Sequence, residues 1–177
     1  MEFLSIFNIG EEPATAVVKA ARQQQNSGNL TLSSFGNLPA AMLFAPNEQI
    51  RGSLHYMFFP PGKSQQFHYH PGDRYLVLVG DIDIRIKYSL AGPNDDPLLE
   101  AQEIVAPKNH ICAMRFAANT WHMFSTLQEA GNGVVAFSFH GDDEISGDNL
   151  PGNLMEELTV FHGPQDRHPL THDPSSS

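Results

Sequence analysis

The sequence predicts an all-β protein, a closed or double-sheet antiparallel barrel that follows a short N-terminal helix. The 177-residue chain breaks into short apolar runs, separated by turns that use many of its 13 prolines and 14 glycines. Beyond residue 30 no helical pattern stands between these runs, so neighbouring strands join through turns, as in antiparallel barrels. The length suits one domain with a full hydrophobic core.

Residues 1–28 are predicted to form an N-terminal extension, residues 29–161 the barrel and residues 162–177 a loose tail. Within the extension, residues 2–9 fit either a short helix or an edge strand. Two glutamates and Pro13 then begin an amphipathic helix, because acidic residues favour the positive end of a helix and proline its first turn. The apolar face of that helix contains Ala14, Val17, Val18 and Ala21.

About ten runs have the length and composition of strands, which is the number expected of a barrel of this kind. Isoleucines at positions 82, 84 and 86 alternate with charged residues, as on a strand with one wet face. A further run, 154–161, fits a short helix or strand. The ten runs are 30–35, 41–44, 53–59, 65–70, 75–79, 82–88, 100–106, 111–116, 121–127 and 134–140.

Composition excludes several classes of function. The net charge of −10 disfavours a nucleic-acid or anionic-membrane surface. Cys112 is the only cysteine, which excludes an internal disulfide and a cysteine-based zinc cage. The first residues lack the basic region of a signal peptide, and no apolar run reaches the roughly 20 residues of a membrane span. We therefore expect a soluble, cytoplasmic protein.

Three histidines stand at the ends of predicted strands. His68 and His70 lie one residue apart on an extended segment, so their side chains point to the same side. An apolar run, 75–79, follows after a turn, and a second turn about forty residues on precedes His122. We interpret these stretches as one metal site; the alternative is a set of core histidines with satisfied hydrogen bonds.

These residues resemble the two motifs of the cupin superfamily over residues 52–140. Gly62, five residues, His68-Tyr69-His70 and the closing Gly80 match the first motif, and residues 117–122, ending in His122, match the second. The resemblance implies a double-stranded β-helix, or jelly roll, with the three histidines converging on a metal inside the barrel. Three imidazoles are good ligands for divalent transition metals and leave coordination positions open.

The sequence departs from the family pattern at the glutamate ligand, which falls at Arg74 or Asp73 depending on the direction of counting. Arginine cannot ligate a cation, so we expect Arg74 to point away from the metal, toward an acid group or an anionic substrate. Asp73 ligates only if its turn bulges inward. A three-histidine site, as in cysteine-dioxygenase-like cupins, is the preferred version. Asn119 replaces a motif glycine and tolerates positive φ.

Other residues are candidates for the same site. His55, His110 and His140 lie at or near strand ends, where each could be a fourth ligand, a general base or a rim histidine. The candidate catalytic residues are His110 and His140 from this group, together with Arg74 as a partner for an anionic substrate.

The resemblance implies a metal-dependent enzyme, and an iron-type dioxygenase acting on a small organic or aromatic acid is the specific expectation. Iron is the expected metal, with Zn, Ni, Mn and Cu as alternatives. A non-catalytic small-molecule binding or sensory cupin, with a structural metal or none, is the second interpretation. A metal-independent, epimerase-like cupin is the third. Cupin domains commonly form dimers through their sheets, so the resemblance also implies a homodimer.

Overall fold

The computed structural model describes residues 1–26, 33–35, 38–44, 52–65, 67–70, 72–91, 96–126, 128, 130–140 and 159–161. These residues form twelve strands and one helix, α1 (Glu11–Asn26). The strands are β1 (Glu2–Asn8), β2 (Ser33–Phe35), β3 (Leu38–Phe44), β4 (Ser53–Phe59), β5 (Phe67–Tyr69), β6 (Arg74–Gly80), β7 (Ile84–Ser89), β8 (Gln102–Ala106), β9 (His110–Phe116), β10 (Trp121–Thr126), β11 (Val134–His140) and β12 (Thr159–Phe161).

The strands form two antiparallel sheets. A seven-stranded sheet has the order β1-β9-β6-β11-β4-β3-β2, and a five-stranded sheet has the order β12-β5-β10-β7-β8. The strand order does not follow the chain order, because consecutive strands such as β4 and β5 belong to different sheets. Each of the ten predicted runs overlaps one of these strands, and the predicted all-β, antiparallel barrel is confirmed.

Alternating side chains separate the core from the outer face of the larger sheet. On β6, Leu76 and Leu78 are buried, whereas Tyr75 and Val77 between and beside them are 41% and 39% exposed. The inward residues of both sheets meet in one apolar cluster. This period of two is what places every inward side chain of a strand in the same space.

The N-terminal extension contributes to the larger sheet and to its outer surface. β1 pairs with β9 as an edge strand, so of the two expectations for residues 2–9 the strand is the correct one. Helix α1 begins with two glutamates, and its Val18 packs on Tyr56 and Val135 of the outer face. Val17, predicted for the apolar face, is instead 42% exposed. The buried face of the helix is the one that contains Ala14 and Val18.

One end of the barrel, which we call the closed end, is filled by the apolar residues Leu78, Ile82, Ile84, Cys112 and Val134. Gly80 lies here because a Cβ at this position would stand 2.7 Å from a methyl group of Val134. The carboxylate of Asp81 accepts backbone N–H groups of Asn132 and Gly133 at 3.0 Å, which fixes the turn beside it.

Among the described residues, no helix is long and apolar enough to cross a membrane. The predicted tail, 162–177, lies outside the described residues. Of the run 154–161, only β12 is described, and it pairs with β5 as a strand.

Candidate metal centre

The smaller sheet brings three histidines together at the end of the barrel opposite the closed end. His68 on β5 pairs directly with His122 on β10, and His70 follows on the same side of its strand. One ligand nitrogen from each histidine lies within 4.8 Å of the other two. All three side chains are buried, with ring centroids 4.5 to 5.3 Å apart. The structure therefore brings together the three histidines predicted from the sequence.

This donor set fits a divalent transition metal. Metal–imidazole bonds of about 2.1 Å place neighbouring ligand nitrogens roughly 3 Å apart, so modest side-chain rotations bring the three nitrogens onto one ion. Imidazole suits Fe, Zn, Ni, Cu and Mn, and three protein ligands leave positions open for a small molecule. The cluster can hold a metal, although its chemistry does not select one.

The turn before β10 orients His122. Its Nδ1 donates to the carbonyl of Thr120 at 2.8 Å, which leaves the Nε2 lone pair available for a metal. Asn119 adopts φ 60°, as expected for the residue that replaces the motif glycine, and its N–H donates to the carbonyl of His70 at 2.7 Å. The second motif thus fixes its own histidine and is hydrogen-bonded to the first. Sequence reasoning missed the role of Thr120, which only the backbone geometry reveals.

Arg74 lies inside the barrel, contrary to the expectation that it points away from the site. Its side chain is 1% exposed, and its guanidinium Nη2 donates to Nδ1 of His70. The reason is strand alternation: Arg74 is the first residue of β6 and shares the inward face of Leu76 and Leu78. The cation therefore stands beside a histidine of the cluster.

The hydrogen bond between Arg74 and His70 is incompatible with metal binding by His70. If Nδ1 is the ligand, its lone pair is already occupied by the guanidinium. If Nε2 is the ligand, the neutral ring carries its proton on Nδ1, which then cannot accept from arginine. In either case Arg74 has to leave His70 before a metal engages all three imidazoles.

Asp73 does not join the cluster. One oxygen of its carboxylate accepts from Nε and Nη2 of Arg115 at 2.9 and 2.6 Å, and the other accepts from the N–H of Ala118 at 2.9 Å. These bonds, led by those from Arg115, hold the pKa of Asp73 below its usual range. The turn does not bulge inward, because Arg115 draws the carboxylate to the outer face of β9. Asp73 instead links the turns of the two motifs.

The structure adds a row of polar residues from the larger sheet. His140 lies with its ring centroid 5.6 Å from that of His70 and stacks on His55 at 4.0 Å. Nε2 of His55 is 2.8 Å from Oγ of Ser53, and the register pairs His140 with both Ser53 and Arg74. Sequence reasoning missed Ser53, although its spacing from His55 on one strand places both on the same face.

His110 is not brought to the site. It begins β9 and lines a small cavity at the closed end with Leu78 and Cys112. Phe116, at the other end of the same strand, is the residue of β9 that packs on His122, with centroids 4.5 Å apart. Of the three candidate catalytic residues, the structure therefore places Arg74 and His140 near the cluster.

Comparison with solved structures supports this architecture. The capsular polysaccharide assembling protein CapF from Staphylococcus aureus matches with a TM-score of 0.53 and 15% identity, over 75% of this chain and 31% of that chain. A CapF complex with the inhibitor 3-isopropenyl-tropolone matches with a TM-score of 0.52 and 14% identity, over 75% and 34% of the two chains. The chain thus spans about a third of the length of the CapF structures.

A cupin-2 domain protein from Rhodospirillum rubrum is also similar, with a TM-score of 0.47 and 12% identity over 73% of this chain and 68% of that chain. No family model and no curated protein sequence matches the chain. The likeness to CapF, at 14% to 15% identity, shows the fold alone, and function has to be argued from the residues of the site.

Proposed function

We propose that this chain, which has the cupin fold, is a metal-dependent enzyme, an iron-type dioxygenase that acts on a small organic or aromatic acid. The observation that carries the proposal is the convergence of three buried imidazoles within 4.8 Å of one another. His68, His70 and His122 are the proposed ligands. When bound, the metal would supply a Lewis acid or redox centre with open coordination positions.

Arg74 is the proposed anchor for the acid group. A guanidinium presents a planar fork of N–H donors that matches a carboxylate, and a buried position strengthens that interaction. Arg74 is buried beside His70, so a carboxylate bound by Arg74 lies next to the cluster. Binding the acid would also draw Arg74 away from Nδ1 of His70 and free that ring to act as a ligand. Acid and metal would therefore favour each other's binding.

His140 is the proposed proton-transfer residue. It lies against His70 on one side and stacks on His55 on the other. A histidine in such a position can accept or donate a proton near neutral pH, provided that it is held within reach of the reacting group. Because the two imidazoles stack face to face, the ring of His55 restricts how His140 turns.

The second candidate function is a metal-free small-molecule binding or sensory protein. The contact between Arg74 and His70 favours this candidate, because it occupies a histidine that a metal needs. In this version Arg74 still binds an anion, but the histidines only provide hydrogen bonds.

Elemental analysis of tag-free protein separates the two candidates. We expect about one equivalent of a divalent transition metal in the wild type, and a loss of at least about tenfold in affinity when a ligand is removed in His68→Ala. His110→Ala is the matched control, since it removes a histidine of the same chain from the closed end. Oxygen consumption with iron-loaded protein and a panel of small acids then tests the reaction.

Two outcomes would count against the enzyme. If folded wild-type protein contains no metal, the result would favour the second candidate, the metal-free binding protein. Metal retained by His68→Ala at wild-type stoichiometry would show that the ligand set is wrong.

The homodimer and the cytoplasmic location also stay predictions. β1 is an edge strand of the larger sheet, and its Leu4, Ile6 and Phe7 are 47% to 61% exposed. This is the surface that we expect a second copy to cover.

A further inference from the structure

Gln65 extends into the barrel from the smaller sheet. It precedes β5, and its backbone N–H donates to the carbonyl of Phe124 on β10 at 2.8 Å. Its side chain is 4% exposed, and its Nε2 lies 3.9 Å from Sδ of Met57 on the larger sheet. A contact from one sheet to the other places the amide inside the barrel.

The Gln65 amide is poorly satisfied there. Its Oε1 is buried and accepts no hydrogen bond from the described residues. Within the part of the chain that the structure describes, its amino group meets a thioether, which is a weak acceptor. Buried polar atoms are rarely left in this state, and when they are, an additional partner is the usual reason.

Strand register places the amide beside the histidine cluster. Gln65 faces Phe124, and His68 faces His122, so the two levels are two residues apart along β10. At about 3.3 Å per residue this amounts to roughly 6 to 7 Å, which is the size of one small chemical group. Met57, which Gln65 touches, pairs with Ala136 on β11. Arg74 contacts His70 and pairs with His140, four residues further along β11. The order along the barrel is therefore Arg74, the histidines and Gln65.

We propose that Gln65 determines substrate specificity by accepting a hydrogen bond from a hydroxyl group of the acid. This inference rests on the proposed function, which supplies the acid and its anchor at Arg74. It narrows the substrate class to hydroxy acids, and among aromatic acids to those whose hydroxyl lies across the ring from the carboxylate. A site that offers a buried acceptor discriminates against the analogue that lacks the donor, because the acceptor then stays unpaired.

Calorimetric binding of 4-hydroxybenzoate and benzoate to the protein as purified tests the inference. We expect the wild type to bind the hydroxylated acid about tenfold more tightly, the fold-change of one hydrogen bond to a buried acceptor. Gln65→Leu should bind both acids equally, with the affinity for benzoate unchanged within about twofold. Arg74→Met should weaken both acids by the same factor, because it removes their shared anchor.

Gln23→Leu is the matched control, since Gln23 is an exposed glutamine of α1, the helix that packs on the outer face of the larger sheet. If Gln65→Leu fails to fold, Gln65→Met keeps the length of the side chain, removes the acceptor oxygen and gives the same comparison. A wild type without preference, or a preference that survives in the folded Gln65 variant, overturns the inference.

Metal content measured in the same samples keeps this inference separate from the proposed function. One equivalent of metal without a hydroxyl preference rejects the role of Gln65 and leaves the metal enzyme in place. A preference that depends on Gln65 in protein without metal supports the role of Gln65 and rejects the metal enzyme.

Discussion

The two ends of the barrel are built from the same strands and differ in what those strands turn inward. At the closed end β6 contributes Leu78 and β11 contributes Val134, both in the apolar core. At the other end, which we call the histidine end, the same two strands contribute Arg74 and His140. The smaller sheet adds His68, His70 and His122 there.

Because of this difference, one end of the larger sheet contributes mainly to stability and the other end contributes the polar groups of the site. Burial in the closed end raises the pKa of the Cys112 thiol to about 11, which reports a medium that disfavours charge. The histidine end holds a buried guanidinium in the midst of imidazoles. Polar groups in such a position cost stability, and proteins retain them mainly where they bind or react.

The largest expected effect comes from the closed end. Ile84 is 1% exposed, and Ile84→Ala leaves a cavity that the surrounding strands close only in part. We expect the free energy of unfolding in urea to fall by about 2 to 5 kcal/mol. Metal stoichiometry below the unfolding transition should equal that of the wild type, because the closed end contributes no ligand.

His122→Phe sharpens this comparison from the histidine end. Phenylalanine keeps the ring that packs on Phe116 and Phe124, so stability should change less than in Ile84→Ala while metal binding is lost. If Ile84→Ala reduced metal stoichiometry as much as His122→Phe, the separation between the two ends would be untenable.

The second effect is a gain in metal affinity. Arg74→Met removes both the donor that occupies Nδ1 of His70 and a positive charge beside the metal position. We expect zinc to bind about tenfold more tightly, because the metal no longer has to displace a charge-assisted hydrogen bond from His70. Titration against a fluorescent zinc chelator measures this change.

Arg74→Lys is the companion variant, because it keeps the charge but loses the planar fork. An intermediate affinity would apportion the effect between charge and hydrogen bonding. In the wild type, benzoate should tighten zinc binding, and in Arg74→Met it should not, since coupling between two ligands is reciprocal. Unchanged zinc affinity in Arg74→Met would show that the two functions of His70 do not compete.

Much of this architecture could be predicted from the sequence, because it depends on local patterns. Runs of period two predicted the strands, and the resemblance of the segments around His68, His70 and His122 to the cupin motifs implied that these histidines converge. The positive φ of Asn119 followed from the ability of asparagine to replace glycine. The strands and the turn at Asn119 are decided by neighbours within a few residues, whereas the convergence of the histidines was implied by the resemblance to the two cupin motifs.

The features that were missed were decided by where each side chain packs in the folded barrel. Arg74 was assigned outward on chemical grounds, but the alternation of β6 turned it inward. Asp73 was a possible ligand until Arg115, 42 residues on, took its carboxylate. Val17 was predicted from helical spacing to lie on the apolar face of α1, but it is exposed. His110 was a candidate because it starts the strand that leads to the second motif, but that strand end lies at the closed end of the barrel.

The smallest expected effect concerns Asp73, which links the turns that carry the two histidine motifs. Hydrogen bonds from Arg115 and the N–H of Ala118 hold its pKa below 3.8, so folding favours the ionised carboxylate. A depressed pKa adds stability above the ordinary value and loses it as pH falls through the folded value. Asp73→Asn should lower the melting temperature by about 2 °C at pH 7, because the ion pair is partly exposed.

The deficit of Asp73→Asn should shrink as the pH falls below 3.8, where the carboxylate of the unfolded chain becomes neutral, and it should be smallest below the lower pKa of the folded protein. Repeating the substitution in an Arg115→Gln background isolates the pair, and the deficit there should be smaller. Thermal melts followed by circular dichroism at pH 7, 5 and 3 provide the measurement. An equal deficit at all three pH values would mean that the carboxylate acts through shape and not through charge. The link between the two motifs would then be a matter of turn geometry alone.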